Sequence, residues 1–357
     1  MTSPLEAEDL GPRVQSALDA FVARQAVRLG GVSADLAPMV EAVSALLSGG
    51  KRLRPAFCYW GWRGAGAADG DAIVRAASSL ELLHACALIH DDVMDGSDIR
   101  RGQPAVHRRM ARLHEASGWR GSAEAFGTGG AILVGDLCLA WADELLYDSG
   151  LDDAALRAGK PVLDEMRTEL MAGQYLDLLE QAQAAGSVEG AMRVLRYKSA
   201  KYTVERPLQL GAALAGAGED LATIYSAYGL PLGEAFQLRD DVLGVYGDPA
   251  ETGKPAGDDL REGKQTLLVA YALAEASPAG VVLLRARLGD PQLDDAGVDD
   301  LRTVIQTSGA LARVEDLIGR LTAEALGALG SAPARLVAEP GAWALAELAH
   351  AATVRTV

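Results

Sequence analysis

Apolar residues recur every three to four positions along most of this chain, and alternating β-branched runs are almost absent. That spacing gives each helix one apolar stripe and predicts an all-α protein. A first helix is predicted over about Pro12–Leu29 and a second over Ser33–Leu47. Ser48-Gly49-Gly50 interrupts the pattern, which resumes near Lys51. Gly64 to Gly70 reads as a loop. Asp71 stands where it can cap a long apolar helix that ends in Ile89-His90-Asp91-Asp92-Val93-Met94-Asp95. After a loop from Ser97, Pro104 is placed to start a short helix through Leu113. Ser122–Tyr147 stays helical in pattern despite Gly127, Gly129, Gly130 and Gly135, whose cost in helix propensity points to close helix packing. Asp152–Gln183, Val188–Leu214 and Ala222–Val245 are further long helices, with a kink predicted at Pro207. Gly247–Gly263 reads as a loop, and helices separated near Pro278, Pro291 and Pro333 follow. No repeat or polar linker divides the pattern. One helical domain over 1–357 is therefore expected, with residues 1–11 as a flexible tail.

Charge and cysteine content narrow the class. The 357 residues carry a formal net charge of −16. That argues against nonspecific nucleic-acid binding, which needs a basic surface. A phosphate-bearing ligand must then be met by local cations or by metal. Cys58, Cys86 and Cys138 lie in apolar helical contexts with no CxxC pair, so neither a zinc site nor a disulfide framework is indicated. Met1–Gly11 is acidic and unlike a signal peptide. No apolar run is read as reaching about 18 residues, so no transmembrane segment is expected. The expected setting is reduced and cytoplasmic.

Two acidic clusters carry the candidate chemistry. Asp91 and Asp95 are four apart and share one helix face, with Asp92 beside them. Like charges at that spacing repel unless a counter-ion joins them. Oxygen ligands of this kind suit Mg²⁺, which commonly bridges to phosphate. The ordinary alternative is a solvated acidic helix end. Gln237, Asp240 and Asp241 form a second cluster, again closing a long apolar helix. Two aspartate-tipped helices facing each other across a cavity would hold several Mg²⁺. Gly49-Gly50-Lys51-Arg52-Leu53-Arg54 puts two glycines before a helix start, where backbone amides with Lys51 and Arg54 would form a phosphate pocket. It is no P-loop, since no strand precedes it and no Ser or Thr follows Lys51. Arg100 with Arg101, Lys198 with Lys201, and Lys254 with Lys264 add further cations. Each alone reads as surface charge. Together they describe a site for two polyanionic groups, one bound through metal and one through cations.

In order, GGKRLRP, LxxHxxxLIHDDVMDxxxxRRGQPAVH, GQYLDL, KSAKYT, FQLRDDVLGVYGD and GKPAGDDLREGKQT span roughly Gly49 to Leu268. They resemble the motifs of the trans-isoprenyl diphosphate synthases (polyprenyl synthetases), bacterial geranylgeranyl diphosphate synthases among them. The resemblance implies the isoprenoid synthase fold, long antiparallel helices around a central cavity, and a homodimer. It implies that Gly50, Lys51, Arg54, His84 and Arg101 bind isopentenyl diphosphate. Arg100, Lys198, Ser199, Gln237, Lys254 and Lys264 would hold the allylic diphosphate. Asp91 and Asp95 would coordinate two Mg²⁺ and Asp240 a third, supported by Asp92 and Asp241. Ser199 stands where Thr is common in the family. Its oxygen and that of Gln237 would stabilise positive charge on the allylic chain, while Gln174 and Asp177 line the same cavity. Gly244 stands where a third Asp is frequent, with a water or Asp248 as substitute. His90 and His107 read as packing residues.

The implied reaction is ionisation of the allylic C–O bond with Mg²⁺ on the leaving diphosphate, attack by the isopentenyl double bond, and loss of a proton to the released diphosphate. Product length bears on the helix carrying Asp91. Ala87 and Cys86, about one turn below it, are small, where bulky aromatic residues in the family stop growth at fifteen carbons. Leu83 lies about two turns below. Geranylgeranyl diphosphate is the expected product. A class I terpene cyclase shares the DDxxD site and the fold but needs no second diphosphate pocket. A non-catalytic subunit of a heteromeric synthase would have lost an aspartate motif.

Overall fold

Helices make up nearly all the secondary structure of the computed structural model, which describes residues 3–4, 6–183, 186–247, 257–290, 292–333 and 335–353. The all-α expectation holds. Among the described residues, strand pairing is confined to Ile99–Arg100 (β1) against Gln103–Pro104 (β2), antiparallel. The chain divides into two compact units. The first comprises Met1–Lys160, Pro207–Gly218 and Val337–Leu345; the second comprises Pro161–Arg206, Glu219–Leu336 and Ala346–Val357. A chain of this length commonly outgrows one core.

The first unit contains α1 (Leu10–Gly30), α2 (Ala37–Leu47), α3 (Leu53–Gly64), α4 (Asp71–Asp95), α5 (Val106–Ala116) and α6 (Ala123–Tyr147). α4 packs against α6, α3, α1 and α2. Its buried residues run from Ile73 to Ile89 on nearly every side, the pattern of a helix wrapped in protein. α1 begins at Leu10, which is buried, and Trp60 Nε1 donates to Pro4 O at 3.2 Å. The described part of residues 1–11 is thus packed against the unit and is not a free tail. Asp71 does not cap α4. Gly70 holds that position, and Asp71 lies in the first turn, 3.3 Å from Arg13 Nη2. Pro104 pairs in β2, and α5 starts only at Val106.

The glycines of α6 mark close helix approach. A Cβ on Gly127 would lie 2.3 Å from His107 O of α5, and one on Gly135 would lie 2.2 Å from the His90 ring of α4. Gly130 meets Met110, whereas Gly129 meets nothing within 4 Å. His90 fills the notch at Gly135, with Nε2 3.2 Å from Ile132 O, and so has the packing role expected of it. α4 and α6 each contain an 18-residue window long and apolar enough to cross a membrane by composition. The protein buries 72% of the α4 window but only 39% of that in α6. α4 is a core helix, while α6 keeps Phe126, Ile132 and Leu133 exposed.

In the second unit, the helix expected over Val188–Leu214 is interrupted. After α7 (Asp153–Gln183) come α8 (Val188–Val194), a π-helical stretch Leu195–Glu205, and α9 (Arg206–Leu214), which from Pro207 onward belongs to the first unit. The widened turns end just before Pro207, whose missing N–H cannot continue the ladder. Ion pairs hold the stretch: Lys201 Nζ lies 2.7 Å from Glu169 Oε1 of α7, and Arg206 Nε donates to Glu169 Oε2 at 2.7 Å. α10 (Glu219–Tyr246) sends Leu238, Val242 and Val245 into a core with Leu268, Ile305 and Val314. A short helix, Asp258–Glu262, lies inside the loop expected over 247–263.

Candidate active site

The carboxyl end of α4 is built for charge. Apolar burial fixes the helix up to Ile89, and Gly96, at φ 68°, ends it by donating its amide to Asp92 O. The chain then returns through β1 and β2. Arg101 (φ 53°) and Gly102 (φ 71°) form their two-residue turn, the left-handed pair that a tight hairpin requires. This hairpin lays Arg100 back onto α4. Its Nε donates to Asp92 Oδ1 at 2.9 Å, and its Nη2 lies 3.6 Å from Asp91 Oδ2. Asp92 is buried, while Asp91 and Asp95 are half-buried. Asp92 therefore anchors Arg100.

A basic cluster lies in the same unit. Gly49 and Gly50 take φ of 116° and 98°, which only glycine adopts at little cost. A Cβ at Gly50 would come within 2.9 Å of Arg101 Nη2. Arg101 Nη1 donates to Leu46 O at 2.7 Å. His84, half-buried on α4, has its pKa held well below the usual range, first by desolvation and then by the positive charges of Arg54, Arg101, Arg100 and Arg52. A neutral ring among four guanidiniums marks a place of strongly positive potential, which a polyanion would relieve. Gly50, Arg54, His84 and Arg101 are thus brought together as expected, with Lys51 exposed on the same connector.

Arg52 was not foreseen. It sits in the left-handed region at φ 51° and is 7% exposed. Its guanidinium pairs with buried Glu81 of α4, and it also donates to Gln15 Oε1 at 2.5 Å and to Leu47 O. It pins the connector that carries Lys51 and Arg54. Glu81, a carboxylate inside an otherwise apolar stretch, was the available signal.

The second unit carries the other motifs. Lys198 Nζ, on the π-helical stretch, lies 2.6 Å from Asp177 Oδ2 of α7. A Cβ on Gly173 would lie 2.3 Å from Lys198 N, so glycine there lets the two backbones meet. Ser199 and Gln174 flank this pair in sequence. On α10, Gln237 Nε2 donates to Asp241 Oδ1 at 2.8 Å. Asp241 is buried, and burial, with the charges of Asp259 and Asp240, pushes its pKa up to about 8. Asp240 is exposed. Lys264 Nζ lies 2.8 Å from Glu262 Oε2 and 3.1 Å from Asp259 Oδ1. Lys254 and Asp248 lie outside the described residues. Of the chain-length candidates, Leu83 and Cys86 are buried, with Cys86 Sγ 3.7 Å from His90 Nδ1, whereas Ala87 keeps partial exposure.

Among the described residues, no three His, Cys, Asp or Glu side chains converge into a closed metal cage. Mg²⁺ rarely needs one. It takes one or two carboxylates and leaves its other positions to water and phosphate oxygens. Asp91 with Asp95, and Asp240 in the other unit, are donors of that kind, so the residues fit the ion.

The comparisons with known proteins agree with these motifs. The family model described as polyprenyl synthetase matches residues 37–305. The geranylfarnesyl diphosphate synthase of Aeropyrum pernix is 36% identical over 269 residues, covering 74% of this chain and 78% of that protein. The nonaprenyl diphosphate synthase of Mycobacterium tuberculosis is 31% identical over 301 residues, covering 84% and 82%. A crystal structure of geranylgeranyl pyrophosphate synthase from Corynebacterium glutamicum, complexed with isoprenyl diphosphate and magnesium, superposes with a TM-score of 0.93 at 40% identity over 97% of this chain and 99% of that one. The chain belongs to the polyprenyl synthetase family of prenyl diphosphate synthases.

Proposed function

We propose that this enzyme is a Mg²⁺-dependent trans-prenyltransferase that joins isopentenyl diphosphate to an allylic diphosphate, with geranylgeranyl diphosphate as its main product. The observation that carries this reading is the pairing, within the first unit, of the α4 aspartates with a separate cluster of Arg54, His84 and Arg101. A terpene cyclase handles one diphosphate and has no use for that cluster. Both aspartate motifs are present, which argues against a non-catalytic subunit. Consumption of isopentenyl diphosphate in the presence of an allylic primer separates these readings.

In this proposal Lys51, Arg54, His84 and Arg101 hold the isopentenyl diphosphate through cations and a neutral imidazole, fixing its double bond for attack. Arg100, Lys198 and Lys264 bind the allylic diphosphate, joined by Lys254. The chemistry supplied by Mg²⁺ bound at Asp91, Asp95 and Asp240, three ions in all, is neutralisation of the leaving diphosphate. Ser199 and Gln237 offer oxygen dipoles to the allylic carbons as positive charge develops. The Gln237 amide nitrogen already donates to Asp241, which directs its carbonyl oxygen elsewhere. No side chain of these motifs is a strong base, so the released diphosphate takes the final proton.

The relatives bear names of products from farnesyl to nonaprenyl diphosphate, so product length rests on α4. Ala87 combines small size with partial exposure. The Ala87→Phe enzyme should stop at the fifteen-carbon product. Chromatography of the dephosphorylated products checks this, and an unchanged twenty-carbon product would count against Ala87 as part of the floor.

We also propose a homodimer in the cytoplasm. Support comes from the apolar residues Phe126, Ile132 and Leu133 exposed on α6, a patch typical of an association surface, and from the three free cysteines. Leu133→Glu should convert the dimer to monomer in size-exclusion chromatography with light scattering. A dimer unaffected by a charge at that position would place the interface elsewhere.

A further inference from the structure

Position 244 lies three residues beyond Asp241 on α10, so the two share a helix face. Glycine at 244 puts no side chain there. The space is occupied from elsewhere: a Cβ at Gly244 would lie 1.9 Å from Asp259 Oδ2 and 2.6 Å from its Cγ. Asp259 is buried and comes from the short helix Asp258–Glu262. That helix ends at Gly263, in the left-handed region at φ 76°. The turn brings Lys264 back onto Asp259, which holds it through both backbone and side chain, with Glu262 Oε2 2.8 Å from the same ammonium. Lys264 N donates to Asp259 O at 3.0 Å, and Lys264 Nζ lies 3.1 Å from Asp259 Oδ1. Both Asp259 and Lys264 lie close enough to Asp241 to act on it electrostatically.

We infer that Asp259 is a positioning residue of the allylic diphosphate site: it sets a carboxylate on the α10 face that Gly244 leaves open, and so aims Lys264 alongside Asp241. The inference rests on the proposed roles of Lys264 and Asp240. Its physical content is an exchange. α10 gives up a side chain at 244, and a neighbouring helix supplies the carboxylate together with the lysine it orients. A bare latch between two helices would affect stability alone. A positioning residue affects one substrate more than the other.

Asp259→Asn keeps the size and removes the charge, and the pair Gly244→Asp with Asp259→Gly returns the carboxylate to α10. For Asp259→Asn, the KM for farnesyl diphosphate should rise about tenfold or more, the scale of one lost charged hydrogen bond. The KM for isopentenyl diphosphate, bound in the proposed reading by other residues, should change by less than about twofold. Thermal stabilisation of the protein by inorganic diphosphate with Mg²⁺ should also shrink. Asp259→Gly alone should lose as much, and the double variant should recover most of that loss. Equal changes in both KM values, no change in either, or a double variant no better than Asp259→Gly would each overturn the positioning role. Absence of prenyl transfer by the wild-type protein would overturn the underlying reading and this role with it. Normal wild-type transfer alongside an unaltered Asp259→Asn enzyme would overturn this role alone.

Discussion

The Asp91→Ala enzyme should lose prenyl transfer by about 1,000-fold in kcat while remaining folded. Metal acting as a Lewis acid supplies several kcal/mol of charge stabilisation, and each ~1.4 kcal/mol is a factor of ten in rate. Asp91 stands near the carboxyl end of α4, four residues before Asp95, with its side chain half-buried. Its neighbour Asp92 is engaged with Arg100 and cannot take its place without releasing that guanidinium. Stability should hardly change, because removing Asp91 relieves its like-charge repulsion with Asp95, four residues on along α4. Steady-state kinetics paired with a thermal melt check both halves. A variant within tenfold of wild type would remove Asp91 from the metal site, and a collapsed melt would mean that the residue holds the fold.

The Glu81→Ala protein should be the least stable of the single variants considered. Arg52 and Glu81 are 7% and 4% exposed, so removing the carboxylate leaves a buried, uncompensated guanidinium. Breaking such a pair costs about 3–5 kcal/mol, roughly a 4–7 °C fall in melting temperature for a chain of this size. An exposed pair behaves differently. Arg157 and Asp153 are 73% and 89% exposed and 3.8 Å apart, and losing that pair should cost about 0.3–0.5 kcal/mol. Because Arg52 pins the connector carrying Lys51 and Arg54, Glu81→Ala should also raise the KM for isopentenyl diphosphate. Replacing both partners, as Arg52→Met with Glu81→Leu, should restore much of the stability, since two apolar residues leave no stranded charge. A melt of Glu81→Ala within a degree or two of wild type would show that Arg52 finds another partner.

Much of this was legible in the residues. Helical periodicity located α4, α6 and α10, and the acidic clusters stood out because each closes an apolar helix. The glycines of α6 announced close packing, which three of the four serve. What escaped depends on partners far off in sequence. Arg52 takes a left-handed backbone because Glu81, twenty-nine positions later, waits for its charge. The π-helical stretch Leu195–Glu205 carries no pattern of its own and is held by Glu169 on another helix. Gly244 read as a missing aspartate, since nothing in the local sequence reveals that Asp259 fills the space.

The most direct test is incubation of the purified protein with isopentenyl diphosphate, farnesyl diphosphate and Mg²⁺, with the dephosphorylated products resolved by reversed-phase chromatography. The expected result is a predominant twenty-carbon geranylgeranyl product that depends on Mg²⁺ and disappears in the Asp91→Ala enzyme. Failure to consume isopentenyl diphosphate with the dimethylallyl, geranyl or farnesyl primer would contradict the proposed reaction.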